Sequence, residues 1–391
     1  MERVPVISQN GKPLMPTKSS RARRWLQQGK AKIYSNDLNQ FAIQLTFDTQ
    51  ENTQAIVLGI DPGKMFTGVG VQSPKATLFT AHLELPFKNV RKKMEQRAMM
   101  RRGRRGRRIN RKLPFESRSH RQARFDNRKN SKFAPSIKAN KQLEYRVAQE
   151  LSKLFPISNI SYEIVTAKGS KSFSPVMVGQ KIMTTEWLPR LAPVTCFRGW
   201  ETSNLRKYLG LEKDKSDKSK QTPATHANDG VTLACLMFLK WFEWYSNIGK
   251  HGDWVGDVRI TRATFTIIRR PPVARRQLHL MVFAKGGKRR KYGGTVTVHG
   301  FRKGDFVETE RKGVKYRGWV SGDTKTQVSV SDINWKRLGQ FSAKKTKLLK
   351  RSTNLICQPI VGGAAFIPAR SCAGLLPRRQ MTRFSVDISR N

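Results

Sequence analysis

Four side chains in this sequence have the types and the setting for phosphodiester chemistry: Asp61, Glu163, His226 and Asp229. Asp61 closes the apolar run IVLGID and precedes the turn PGKMFTG. Glu163 lies in SYEIV, and THANDGV places His226 and Asp229 directly before the apolar VTLACLMFL. An acid beside strongly apolar sequence is costly unless a cation or hydrogen bonds compensate. Two strand-borne acids and one helix-borne acid would supply oxygen ligands for two Mg2+ ions, a pair that activates water and stabilises the leaving oxygen in phosphodiester hydrolysis. His226, three residues before Asp229, falls on the same side of a helical turn, placed to order the attacking water or shuttle a proton. Each residue also has a plainer reading. Asp61 before Pro62-Gly63 is a turn residue, Glu163 pairs with an arginine, Asp229 caps a helix and His226 lies on the surface.

The elements that must position these side chains follow from periodicity. QAIVLGID, FTGVGVQS and ATLFTAHLEL, rich in β-branched and aromatic residues, predict three strands in an antiparallel meander. NKQLEYRVAQELSKLF repeats Leu143, Val147, Leu151 and Leu154 at helical spacing and stops at Pro156; ISNISYEIV then predicts a strand. VTLACLMFLKWFEWY (231–245) is apolar nearly all round and predicts a buried helix. Near the start, PLMP (13–16) predicts a turn-prone break, and SSRARRWLQQGKAKI a small basic helix capped by Ser19 or Ser20. Residues 165–225 are polar and basic, with KDKSDKSK as an exposed loop. From about 275, RQLHLMVF, GGTVTVHG, DFVETER, GVKYRGWVSG and TQVSVSD alternate as the strands of a small antiparallel barrel.

Charge narrows the class of partner. The 391 residues carry 76 Lys+Arg against 27 Asp+Glu, a net charge of +49, while 38% hydrophobic content and 20 Phe allow real cores. Self-repulsion on that scale opposes compaction unless a polyanion neutralises it, and a long nucleic acid is the natural one. Between residues 91 and 112, twelve of 22 residues are Arg or Lys, on every side of any helix drawn through them. Gly103 and Gly106 each cost about 1 kcal/mol in a helix interior, so order there depends on a bound partner. The four cysteines are isolated, which argues against a zinc ribbon or a disulfide framework. No apolar run reaches the length of a membrane span and no signal peptide opens the chain, so the expected location is the bacterial cytoplasm, within reach of the nucleoid.

Taken together, GIDPG (59–63), YEIV (162–165) and HANDG (226–230) resemble the three split motifs of RuvC-like nucleases of the RNase H fold. PLMP and the Arg-rich 91–112 resemble the PLMP domain and bridge helix of the transposon-encoded, RNA-guided IscB and IsrB proteins, relatives of the type II CRISPR effectors. IscB carries an HNH nuclease between the second and third motifs. Here about 62 residues separate Glu163 from His226 and contain no histidine and one cysteine, Cys196, which matches the HNH-lacking IsrB branch. One departure is Gly230, where alanine is the more usual residue.

The resemblance implies an α/β protein with an RNase H-like (RuvC) core, an N-terminal PLMP domain, an Arg-rich bridge helix and a mostly-β, barrel-like C-terminal domain. The implied layout is PLMP domain 1–50, nuclease part I 51–90, bridge helix and basic linker 91–130, nuclease parts II and III 131–265, and a C-terminal domain 266–391 that meets RNA or a target-adjacent motif. The implied activity is omega-RNA-guided nicking of the non-target strand of double-stranded DNA. Asp61, Glu163 and Asp229 would bind two Mg2+ ions (or Mn2+), His226 would complete the site, and the protein would be a monomer within a ribonucleoprotein. Arg91, Arg97, Arg101, Arg102, Arg104, Arg105, Arg107, Arg108 and Arg111 would bind nucleic acid, arginine being suited to bidentate phosphate contacts. Two rival readings remain: a guide-independent RuvC-type endonuclease for branched DNA, and a non-catalytic RNA-binding protein.

Overall fold

Valine, isoleucine and threonine concentrate in the segments that become strands, and the sheets they build set the frame for the site. The structure, a computed structural model, describes residues 3–86, 94–96, 98–100, 102–103, 112–114, 116–117, 134–166, 174–211, 213, 223–247, 249–271, 299–324 and 326–360. It is mixed α/β. The N-terminal part forms β1 (Arg3–Ile7), β2 (Pro13–Lys18), α1 (Ser19–Gln27), β3 (Ala31–Tyr34) and β4 (Ala42–Leu45), in a sheet of order β2-β1-β4-β3. PLMP is therefore strand and not a break. Its two prolines are tolerated because β2 is an edge strand, where a missing N–H costs no ladder bond. Helix α1 opens at Ser19 with Lys18 as cap residue and no side-chain cap bond, so neither serine caps it.

The central sheet begins with the expected meander: β5 (Val57–Pro62), β6 (Phe66–Ser73) and β7 (Ala76–Glu84), paired antiparallel in sequence. Helix α2 (Pro135–Leu154) starts earlier than its apolar repeat predicts because Pro135, pre-set for a first helical turn, extends it. Leu143, Val147, Leu151 and Leu154 are buried, as their spacing requires. The chain continues through β8 (Asn159–Ile164), α3 (Pro175–Ile182), β9 (Val194–Arg198), α4 (Gly199–Tyr208) and α5 (Pro223–Cys235). The polar 165–225 stretch is thus largely ordered into elements of this same layer; of KDKSDKSK, only Lys213 lies within the described residues. Strand β8 runs parallel to β5, and β9 parallel to β8.

The next element overturns a sequence expectation. The helix that starts at Pro223 ends at Cys235, and LKWFEWYS forms β10 (Leu239–Ser246), paired with β11 (Gly249–Gly256) in a ribbon of its own. A run apolar on all sides suits a buried helix or an aromatic strand equally, and the glycines that follow allow the chain to turn back. β12 (Thr264–Arg269) then joins β7 in parallel, giving a seven-stranded order β18-β12-β7-β6-β5-β8-β9 once β18 (Ile356–Ile360) is added. Between these last two strands lie β13 (Phe306–Arg311), β14 (Val314–Asp323), β15 (Gln327–Ser331), β16 (Arg337–Ser342) and β17 (Thr346–Lys350), a five-stranded antiparallel sheet of order β16-β15-β14-β13-β17. The segments RQLHLMVF and GGTVTV lie outside the described residues.

One buried network ties the helical layer to the sheet beneath the site. Lys141 Nζ donates to both Glu144 oxygens (3.0 and 2.8 Å) and to the Tyr162 hydroxyl (3.0 Å), while Thr67 Oγ1 donates to Glu144 Oε1 (2.9 Å). Removing one partner of a fully buried pair strands the other charge, so the network fixes α2 against β6 and β8.

Candidate active site

Asp61 sits at the C-terminal end of β5, and Glu163 at the corresponding end of β8, the adjacent parallel strand. Helix α5 crosses the same sheet and brings His226 and Asp229 in its first two turns. The three carboxylates meet electrostatically. Asp61 is held well above the usual carboxylate range, by burial foremost, then by Glu163 and Asp229, with Lys213 and Arg206 opposing. Glu163 is raised as well, mainly by burial; the Thr202 hydrogen bond works against this and the Asp229 charge adds to it. Thr202 Oγ1 donates to Glu163 Oε2 at 2.7 Å, and Gly199, the first residue of α4, lies against the same carboxylate.

Asp229 is neither a cap nor exposed: it is 2% accessible and within the helix. Both its oxygens are engaged, Oδ1 by Arg206 Nη1 (2.5 Å) and Oδ2 by Lys213 Nζ (2.8 Å). The arginine partner anticipated for Glu163 thus belongs to Asp229. The donor chemistry suits a hard divalent cation, since all three groups are carboxylates and their mutual repulsion is what a 2+ charge relieves. Among the described residues, and as the side chains stand, no three of His, Cys, Asp and Glu are gathered closely enough to hold one ion. Asp229 would exchange a cationic side chain for the metal.

Glycine explains how close the helix comes. A Cβ at Gly59 would fall 2.0 Å from the Gly230 carbonyl oxygen, one at Gly68 1.8 Å from that of His226, and one at Gly70 2.5 Å from the Val231 nitrogen. A Cβ at Gly230 would in turn fall 2.7–2.8 Å from backbone atoms of Val69 and Gly70. Helix and strands touch backbone to backbone, and the glycine at 230, the departure noted in the sequence, is what the contact requires.

His226 is buried rather than superficial, and its ring belongs to a cluster that the sequence did not single out. Its centroid lies 4.9 Å from His82 and 5.4 Å from Phe66, with Phe66 and His82 at 4.8 Å. Both histidines bury an Nδ1 with no hydrogen-bond partner among the described residues. Burial pushes His82 down to about 3 and His226 to about 4, so both are neutral at pH 7. The available signal for His82 was a lone histidine in a strand apolar on both faces. Arg206, Lys213 and Thr202 carried no comparable signal in so basic a chain.

A consequence for stability follows. A histidine with a depressed folded pKa takes up its proton in the unfolded chain first, so folded stability is lost as pH falls from about 6.5 towards about 3. Between pH 7 and pH 5 His82 should cost about 2 kcal/mol, at 1.36 kcal/mol per unit. Asp61 and Glu163, raised, act in the opposite sense, so the quantity to measure is a difference. The urea stability of His82→Phe relative to the unsubstituted protein should rise by about that amount between the two pH values. A pH-independent difference would show that His82 is not held neutral.

Of the nine candidate nucleic-acid arginines, Arg102 is described: it is exposed within a helical stretch. Arg91, Arg97, Arg101, Arg104, Arg105, Arg107, Arg108 and Arg111 lie outside the described residues. No described helix is long and apolar enough to cross a membrane.

A family profile described as "RRXRR protein" matches residues 4–180, somewhat under half of the chain. Among solved structures the chain is similar to the RuvC of T. thermophilus in complex with a Holliday junction substrate, at 13% identity and a TM-score of 0.26, covering 46% of this chain and 90% of that one. No curated protein matches.

Proposed function

We propose that this chain is a RuvC-like DNA endonuclease that depends on divalent metal, is guided by an omega RNA, and nicks the non-target strand. The observation that carries the nuclease reading is the electrostatic meeting of Asp61, Glu163 and Asp229, delivered by β5, β8 and α5. The strand order β7-β6-β5-β8-β9, a meander followed by two parallel strands, supports an RNase H-like core. Asp61, Glu163 and Asp229 would hold Mg2+, as two ions, or Mn2+ in its place. The metal, when bound, supplies an activated water and charge for the leaving oxygen.

The chain's own residues do the remaining work. His226, neutral and with an Nδ1 that has no hydrogen-bond partner among the described residues, would order the attacking water or shuttle a proton beside Asp229. Thr202 fixes the Glu163 carboxylate, and Arg206 and Lys213 hold Asp229 and offset part of the repulsion among the acids. Guidance by RNA rests on the charge of +49 and on the basic 91–112 segment, of which Arg102 is exposed. The nicking reading rests on one such meeting of acids among the described residues. The described part of the connection between Glu163 and His226 contributes α3, β9 and α4, with β9 paired directly to β8. The PLMP segment would grip the RNA, and the 266–391 region would meet RNA or the target-adjacent motif.

The test is direct. The protein, purified with the RNA transcribed beside its gene, should convert a supercoiled plasmid bearing a guide-matched site to open circles when Mg2+ is added. Nicking that ignores the guide would favour the branched-DNA endonuclease. No nicking at any flanking sequence would leave the RNA-binding reading.

A further inference from the structure

The β10–β11 ribbon has no role in the site, and its two faces differ in a way that calls for a partner. Alternation along the strands sorts the side chains. Trp241 and Trp254, cross-strand partners in a T-shaped contact at 5.3 Å, occupy the inner face. Trp254 is 7% exposed and joins the cluster of Val231, Leu236 and Phe265, and the Trp241 ring lies over Gly252, where a Cβ would meet it at 2.1 Å. The root of that face anchors the ribbon to the end of α5, while Tyr245, nearer the tip on the same face, is 76% exposed.

The outer face carries Phe242, Trp244, His251 and Val255, with Asp253, the register partner of Phe242, as its one carboxylate among the described residues. Phe242 is 59% exposed, Trp244 43% and Val255 58%. The rings form a ladder: Phe242 and Trp244 are 6.2 Å apart and 26° from parallel, Trp244 and His251 5.9 Å apart and 20° from parallel. Ser246 Oγ meets His251 Nε2 at 2.7 Å, which fixes the last ring. A two-stranded ribbon is marginal alone, and exposed rings in register are costly in water. Flat, parallel aromatic faces on a protein of +49 suit the bases of an unpaired polyanion strand.

We infer that the outer face of this ribbon is a stacking platform for single-stranded DNA. The choice of DNA over RNA rests on the nuclease reading: the ribbon grows from the C-terminal end of the helix whose N-terminal turns bear His226 and Asp229, so it is fixed relative to the strand to be cut. Neighbouring bases stack on Phe242 and Trp244 without regard to sequence, every base having a π-face. Lys240 and Val255, register partners, lie on the same face towards the root of the ribbon.

Binding of a labelled oligo-dT to the full chain, without metal, tests this apart from cleavage. Each ring stacks one base, so Phe242→Ala with Trp244→Ala, which removes both contacts, should weaken binding about 30-fold or more at moderate salt. The slope of log K against log salt should stay unchanged, because stacking releases no counterions. Trp244→Phe should recover most of the affinity, and the bound oligonucleotide should quench less tryptophan emission in that variant than in the unsubstituted protein. Unchanged affinity in the double variant, or a loss seen as a flatter salt slope, would overturn the platform. A loss confined to an oligo-rU of equal length would assign it to RNA and overturn the inference as stated. Because no phosphodiester is cut, a protein that stacks DNA but never nicks would refute the nuclease reading and not this one.

Discussion

Asp61→Asn should lower phosphodiester cleavage by about 10^3-fold or more, with nucleic-acid binding intact and folding stability unchanged or improved. The substitution keeps the shape and removes one negative charge. Loss of an outer partner of a metal ligand costs about 10- to 100-fold, and loss of a ligand itself should exceed that. A factor of 10^3 is about 4 kcal/mol of transition-state stabilisation. The stability half of the expectation is the more diagnostic. Asp61 is pushed up by burial and by the charges of Glu163 and Asp229, so an uncharged residue there relieves a repulsion that the folded protein otherwise carries. A plasmid-nicking assay and a thermal melt on the same preparation decide the matter. Cleavage at the original rate would remove Asp61 from the site, and a loss of cleavage that tracks a fall in Tm would make the residue structural.

Gly59→Ala should be severely damaging, and more so than Gly230→Ala on the other side of the same contact. The added methyl at 59 has the Gly230 carbonyl oxygen at 2.0 Å and the Ala234 nitrogen at 2.6 Å; the one at 230 has three backbone atoms within 2.8 Å. None of these is the end of a flexible side chain, so the helix itself must retreat. For Gly230→Ala two effects compete. Helix propensity gains about 1 kcal/mol, whereas overpacking commonly costs about 1–3 kcal/mol and more when backbone must move. The cost should win by about 2 kcal/mol, and Gly59→Ala, with no helical gain to offset it, should lose more. Because α5 carries His226 and Asp229, a retreat of a few tenths of an ångström also separates them from Asp61. Cleavage by Gly230→Ala should fall even at temperatures where the variant remains folded. A variant that melts higher and cuts normally would show that the seam yields without cost.

Much of this arrangement was legible because the residues that matter sit in strongly patterned sequence. The β-branched runs around Asp61 and Glu163 allow little but strands, and the Leu143, Val147, Leu151, Leu154 repeat allows little but a helix. The three acids stood out because acids are scarce here. What stayed hidden depends on tertiary contact. Nothing local says that Arg206 and Lys213, two of 76 basic residues, close on Asp229, or that the His82 ring packs against His226. PLMP became a strand because it lies at a sheet edge, which only the partner strands define. WFEWY turned out of the helix because aromatic residues satisfy a ribbon as well as a core, and the deciding glycines come after the run. Gly230 looked like a weakness of the helix; its reason lies across the interface, in strands more than 150 residues earlier in the sequence.

Arg269 and Ile356 are register partners in the central sheet, so residues 270–355 leave and return between two hydrogen-bonded neighbours. Arg351 Nη1, donating to the Gly300 carbonyl and to Asp305 at 2.8 Å each, ties the residues just before β13 to those just after β17. In sequence the five-stranded unit is therefore an insertion between two paired strands of the central sheet. Two adjacent antiparallel strand ends need only a tight turn to join them, so a lineage can graft, enlarge or replace such a unit while the strands bearing Asp61 and Glu163 keep their order and register.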